Sequence, residues 1–188
     1  YRGEILEEEE LPKRLFAYTP CYRREAGAYR ASERGMIRGH QFNKVEMFGY
    51  TLPEESGHML QELIDKACRL VEGLGLHYRL SKLAAGDCSA SMATTYDIEL
   101  WIPSMNEYKE CSSVSNAMDY QARRGNIRVR RKESKKVEYL HTLNGSGLAT
   151  SRLMPAIVEQ LQQSDGSVII PQALRPYMGG QERLTPKA

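Results

Sequence analysis

The spacing of apolar and polar residues divides the chain into strands and two long helices. Residues 15–25 and 38–48 interleave Phe, Tyr and Val with polar side chains, as half-buried strands do. The charged segment between them, Ala26 to Ile37, carries Gly27 and Gly35 and is expected to be a long exposed loop closing an antiparallel hairpin. Pro53 then opens a helix running to about Leu74. Its apolar positions Leu60, Leu63, Ile64, Ala67, Leu70, Val71 and Leu74 form one stripe, and Gly73 and Gly75 supply the stop. Over 95–102 alternation is strict: Tyr96, Ile98, Leu100 and Ile102 share one face, and Asp97, Glu99 and Trp101 the other. A further strand is expected over 107–114, and Asn116 is placed to cap a short helix through about Arg124. Residues 126–131 and 137–143 read as a second hairpin. A last helix lies within about 149–163, carrying Leu153, Ile157, Val158 and Leu161. An interior proline costs about 3 kcal/mol, so Pro155 is expected in its first turn. Val168 to Ile170 suggests a short strand.

Hairpins with helices between strand groups imply an α+β fold, an antiparallel β-sheet flanked by helices. The 188 residues fit one domain over 1–180, with a loose tail at 181–188. With 41% hydrophobic and 27% charged residues, a sizeable core is within reach and long disorder is excluded. No apolar run approaches a membrane span. The glutamates at 4 and 7–10 are the opposite of a signal peptide's basic start, and the chain, which begins at Tyr1, is expected to be a piece of something longer. No strand leads into Gly-x-Gly-x-x-Gly or a P-loop, which excludes those two nucleotide-binding devices. Cys21, Cys68, Cys88 and Cys111 contain no Cys-x-x-Cys pair, so free thiols are expected rather than a zinc knuckle. A net charge of +2 announces no partner, but from Arg123 to Lys136 eight basic residues face only Glu133. That run is either a solvated hairpin tip or a surface facing a polyanion.

Three clusters carry candidate chemistry. In the first hairpin, Arg23 and Glu25 share one strand face, and Phe42, Lys44 and Glu46 share another. They form either ordinary cross-strand pairs or a binding face with an exposed aromatic. In Glu110-Cys111-Ser112-Ser113, a carboxylate and hydroxyls offer hard oxygens suited to Mg²⁺, or simply a polar edge strand. Glu110 and Ser112 should point one way and Cys111 and Ser113 the other, unless a bulge intervenes. Thr142 to Ala149 reads as a strand ending in a glycine-bearing turn, with Arg152 at the start of the last helix, where free N–H groups favour anions.

The run Thr19-Pro20-Cys21-Tyr22-Arg23-Arg24-Glu25-Ala26-Gly27, followed by Arg34 to Glu46, closely resembles motif 2 of bacterial-type seryl-tRNA synthetases of class II. Thr142 to Arg152 resembles their motif 3. Thr95 to Glu99, Glu110 to Asn116 and Asp119 to Arg124 resemble family blocks in the same order. The resemblance places motif 2 at about 15–48 and motif 3 at about 142–162.

This resemblance implies the class II catalytic fold, cut short at the N-terminus, and a serine–tRNA ligase using ATP and Mg²⁺, with L-serine and tRNA(Ser) as substrates. Arg23 and Arg152 would be catalytic, gripping the α-phosphate and the far end of the triphosphate. Glu25 would accept from the adenine amino group and Phe42 would stack on the ring. Arg24, Cys111 and Ser112 would complete the ATP site, Glu110 and Ser113 would sit at the Mg²⁺, and Glu46 and Ser146 would contact serine. The family's upstream Thr-x-Glu element, motif 1 helix and tRNA-binding arm have no counterpart here. The homodimer built on motif 1 is therefore not expected of these residues alone. Thr94 stands where the family usually has lysine, and Cys111 where an aliphatic residue is commoner. These departures leave two alternatives: a non-catalytic or altered paralogue, and an aminoacyl ligase loading a carrier protein. The implied location is the cytoplasm, or an organelle matrix, with no membrane.

Overall fold

In a computed structural model of the chain, residues 1–25 and 35–186 are described. Residues 26–34 of the expected loop, and Lys187 and Ala188 of the expected tail, lie outside them. A six-stranded antiparallel sheet organises the molecule, in the order β2 (Lys13–Tyr22), β3 (Gln41–Thr51), β9 (His141–Ala149), β6 (Glu107–Met118), β5 (Thr94–Ile102), β4 (Tyr78–Lys82). A strand β1 (Ile5–Glu7) precedes it and runs parallel to β7 (Arg128–Arg130), which pairs antiparallel with β8 (Val137–Tyr139). The expected α+β architecture is the one observed. The β2–β3 hairpin pairs Lys13 with Tyr50 through Tyr22 with Gln41. Pro20 is tolerated within β2 because β2 is an edge strand.

Helix α1 (Ser56–Gly73) follows a 3₁₀ turn at Pro53–Glu55. Its buried side Met59, Leu60, Leu63, Ile64, Ala67 and Val71 packs with Ile98, Leu100, Ile102, Val114 and Leu143 from one face of the sheet. Leu70, expected in the stripe, is 46% exposed. Gly49 lets α1 approach closely: a Cβ there would lie 2.9 Å from Met59 Cγ. Helix α3 (Thr150–Leu161) joins the same core through Ala156.

Four local expectations are corrected. Pro155 lies inside α3, beyond its first turn, and is buried. Asn116 does not cap a helix, because β6 runs on to Met118. Its Oδ1 accepts the Met118 N–H at 2.8 Å, and α2 (Tyr120–Gly125) starts after Asp119. The Asn144–Ala149 segment is strand rather than turn. Gly145 is needed there for closeness, since a Cβ would lie 3.0 Å from Val114 Cγ2. Finally, the tail is not loose throughout, because β11 (Arg183–Leu184) pairs antiparallel with β10 (Val168–Ile169).

The basic turn between β7 and β8 meets the acidic N-terminal segment. Arg131 forks onto Glu54 at 2.7 and 2.8 Å and donates from Nε to Glu138 at 2.6 Å. Lys132 pairs with Glu9 at 3.2 Å and Arg130 with Glu7 at 3.4 Å. Most of the local positive charge is thus matched within the chain, which favours the solvated-tip reading over a polyanion surface. Arg131 holds Glu54 down to about 2 from its ordinary value near 4.5. The stabilisation from Glu54 is therefore full above about pH 4.5 and is lost as pH falls toward 2. Arg131→Gln should cost about 1 kcal/mol at neutral pH and flatten the acid limb of a thermal-melt pH series. Superimposable wild-type and variant acid limbs would refute this coupling.

Candidate active site

On the sheet face away from α1, the ends of β2, β3, β9 and β6 and the start of α3 surround a hollow of about 170 Å³. Arg23 and Arg152, from distant parts of the chain, both line it, as do Glu25, Phe42, Glu46, Glu110, Cys111, Ser113 and Ser146. Arg24 and Ser112 do not line it. Arg24 is exposed. Ser112 is fully buried, and its hydroxyl donates to the Ser146 carbonyl at 2.6 Å, tying β6 to β9. A larger cavity of about 620 Å³ lies elsewhere, beside Met36, Met105 and Met154, and contains neither arginine.

Arg23 follows β2. Its backbone N–H donates to the His40 carbonyl at 2.8 Å, and its guanidinium sits 5.2 Å from the Phe42 ring centroid. Phe42 is 8% exposed, so the expected exposed aromatic is in fact walled in. Glu25 takes φ +50° and forms an ion pair with Arg38.

A bulge decides the β6 contribution. Asp97 pairs with Ser113 and Ile98 with Ser112, but Glu99 pairs with Glu110. Cys111 is the extra residue, so Glu110 and Ser113 reach the same face while Ser112 turns into the core. The Cys111 thiol donates to the Ala149 carbonyl at 3.8 Å, and burial pushes its pKa up to about 12. It is a neutral thiol and not a nucleophile.

A second bulge, between Lys44 and Glu46 in the β3–β9 register, accompanies φ +82° at Leu148. Past it the chain enters α3 and presents Arg152. Arg152 Nη1 donates to the Glu110 carbonyl at 2.7 Å, and the side chain is only 16% exposed. At the lower end of the hollow, Glu46 is held by three groups: Asn144 Nδ2 at 2.8 Å, the Ser146 hydroxyl at 3.1 Å and Lys44 Nζ at 3.0 Å. Asn144 lines the hollow too, and the sequence reading missed it. Two-residue spacing from Ser146 would have found it, had the segment been read as strand.

Below Ser113 lies Asp97, 8% exposed, with Oδ1 lacking any partner. Burial, chiefly, raises its pKa to about 6; the Ser113 hydroxyl opposes the shift, and Glu110 and Glu99 add to it. Glu99 itself is paired with Arg79. The set of Glu110 carboxylate, Ser113 hydroxyl and the negative charge beneath suits a hard divalent cation. Among the described residues no cluster of three or more His, Cys, Asp or Glu forms a complete cage. Chemically, the hollow offers two guanidiniums for a polyanion, an aromatic wall, and a separate carboxylate–amide–hydroxyl cluster for a small polar molecule.

The chain matches the family model described as tRNA synthetase class II core domain (G, H, P, S and T) over residues 1–161. It is 73% identical over 179 residues to serine–tRNA ligase 2 of Clostridium acetobutylicum, covering 95% of this chain and 42% of the relative. It is 56% identical to the serine–tRNA ligase of Thermotoga maritima, with the same coverages. The fold matches the crystal structure of seryl-tRNA synthetase from Pyrococcus horikoshii complexed with ATP, at TM-score 0.94 and 41% identity, over 100% of this chain and 42% of that one. The chain therefore spans under half the length of these relatives.

Between pH 4 and about 6 the folded chain keeps the Asp97 proton that the unfolded chain has lost, so Asp97 costs stability as pH rises through that window. In EDTA, Asp97→Asn should be more stable than wild type at pH 7, by up to about 3 kcal/mol, with the gain vanishing toward pH 4. A pH-independent difference in denaturation midpoint would contradict this.

Proposed function

The chain belongs to the tRNA synthetase class II core family, and from that premise we propose that its hollow activates L-serine with ATP for transfer to tRNA(Ser). The observation that carries this reading is the convergence of Arg23 and Arg152 on one hollow, with a small-molecule cluster around Glu46 at its lower end.

The proposed first step needs no protein nucleophile. A serine carboxylate oxygen attacks the α-phosphorus of ATP, and the bond from that phosphorus to the β-bridging oxygen breaks. Seryl-adenylate forms and pyrophosphate leaves. The terminal hydroxyl of the tRNA then attacks the seryl carbonyl and AMP departs. What the site must do is hold two anions together and match charge as it develops at phosphorus.

In this reading Arg23 forks onto the α-phosphate, and Arg152, braced on the Glu110 carbonyl, holds the far phosphates. Phe42 and the Arg23 guanidinium already lie close together, so the purine ring would insert beside them. Glu25 would accept from the adenine amino group with one oxygen while Arg38 holds the carboxylate in place. Glu110 and Ser113 would hold Mg²⁺, which supplies charge neutralisation of the phosphates when bound. Glu46 and Ser146 would contact serine, with Asn144 fixing the carboxylate. A serine hydroxyl bound by Glu46 leaves an unpaired polar group when alanine binds instead, a difference able to give about 10⁴–10⁵ discrimination. Cys111 would serve as packing beneath the phosphates, and Arg24 and Ser112 drop out of direct contact.

No helix of the described residues is long and apolar enough to cross a membrane. Translation supplies the tRNA, so the proposed compartment is the cytoplasm or an organelle matrix.

ATP–pyrophosphate exchange with serine, threonine, alanine and glycine tests the assignment directly. Serine alone should support exchange. Arg23→Ala should lower it by about 10²–10³-fold with an unchanged circular dichroism spectrum. Exchange by the variant at near wild-type rate would remove Arg23 from the mechanism. Glu46→Ala should narrow the preference for serine over alanine in the same assay, and undiminished preference would place specificity elsewhere.

A further inference from the structure

We propose that Asp97 is a positioning residue for the cation-binding pair, acting through Ser113. The inference rests on the nucleotide reading of the hollow and extends it to a residue that does not itself line the cavity.

Asp97 stands directly opposite Ser113 in the β5–β6 ladder, so the two side chains share the sheet face that carries the hollow. Cross-strand partners of this kind hold their Cβ atoms about 4.5–5.5 Å apart, which puts the Ser113 hydroxyl within reach of the Asp97 carboxylate, and that hydroxyl favours the charged form of Asp97. A serine hydroxyl has one hydrogen and two lone pairs. Once the hydrogen is committed downward to Asp97, the lone pairs are left for the hollow, where Ser113 is a lining residue. The charge on the acceptor also makes that oxygen a better donor to a cation. Without Asp97 the hydroxyl is free to rotate and to point its hydrogen at the cation instead.

Two further features mark Asp97 as more than a packing residue. It is 8% exposed, yet among the described residues no cation forms an ion pair with it, and its Oδ1 has no hydrogen-bond partner. A strand position that shares its face with Thr95, Ser113 and Ser115 would tolerate a neutral residue at lower cost. Its neighbours on the same face are Glu99, which is occupied by Arg79, and Glu110, which reaches the hollow. Asp97 is therefore the carboxylate left to orient Ser113. Groups that orient metal ligands typically contribute about 10–100-fold to metal affinity.

The test measures Mn²⁺ dependence of ATP binding by calorimetry and by Mn²⁺ paramagnetic resonance, for Asp97→Ala, Ser113→Ala and the double variant. Asp97→Ala should raise the half-saturating Mn²⁺ concentration about 10–100-fold while ATP binding in EDTA is not weakened. In the Ser113→Ala background the same substitution should add little, because the hydroxyl it orients is gone. Should Asp97→Ala not fold, Asp97→Asn carries the same cycle, with a smaller shift in the same direction. Multiplying effects in the double variant, or equal losses of ATP affinity with Mn²⁺ and in EDTA, would overturn the role. If the wild-type chain bound no ATP under either condition, the nucleotide reading would fall, and this role with it. Normal ATP binding with unaltered Mn²⁺ dependence in the variant would sink the Asp97 role alone.

Discussion

Everything in the hollow depends on one extra residue in β6. A pleated strand sends successive side chains to opposite faces, so an unbroken β6 would have paired Glu110 with Ser112 on the core side. A carboxylate there would face Ile98, Leu100 and Val114, all fully buried. The bulge at Cys111 reverses the phase: Glu110 turns outward, Ser112 inward, and the buried thiol absorbs the surplus position. Ser112 then joins β6 to β9 through the Ser146 carbonyl, which fixes the strand that carries Ser146 and leads to Arg152.

The second bulge works with the first. At Leu148 the backbone adopts a positive φ that a leucine rarely takes, and the strand passes straight into α3. Arg152 emerges in the first turn and is latched to the Glu110 carbonyl. The two distortions thus set the distance between a guanidinium on α3 and a carboxylate on β6. Local strain of this kind persists only where surrounding packing enforces it. Here Gly145 and Gly147 permit that packing by letting Val114 and Val45 approach the β9 backbone.

The same sheet keeps its two faces chemically separate. The helical side is a continuous apolar core reaching from Met59 on α1 to Ala156 on α3. The open side carries arginines and carboxylates in arrangements that ordinary surface pairing only partly satisfies, with Asn144 and Asp97 each retaining an unpartnered buried oxygen. Away from the hollow the contrast is plain. Arg131 pairs with Glu54 and Glu138 and Lys132 with Glu9, and the cluster binds the acidic N-terminal segment to the β7–β8 turn. Charge density alone therefore did not separate the two surfaces, since the basic turn finds acidic partners within the chain.

Sequence by itself determined the α1 stripe, the β5 alternation, the β2–β3 hairpin and the α+β class, because each follows from a local period and short connections. Its motifs also named Arg23, Glu25, Phe42, Glu46, Glu110, Ser113, Ser146 and Arg152, all of which line one hollow. Only tertiary structure decided that Ser112 turns away, that Asn144 joins Glu46, and that Asp97 lies under Ser113. A bulge shifts the phase of a strand without leaving a periodic signature, so the facing of residues beyond it depends on which partner strand they meet. The long reach of β6 past Asn116 and the placement of Pro155 inside α3 were hidden for the same reason: pairing with β9 and burial against the core outweigh local propensity.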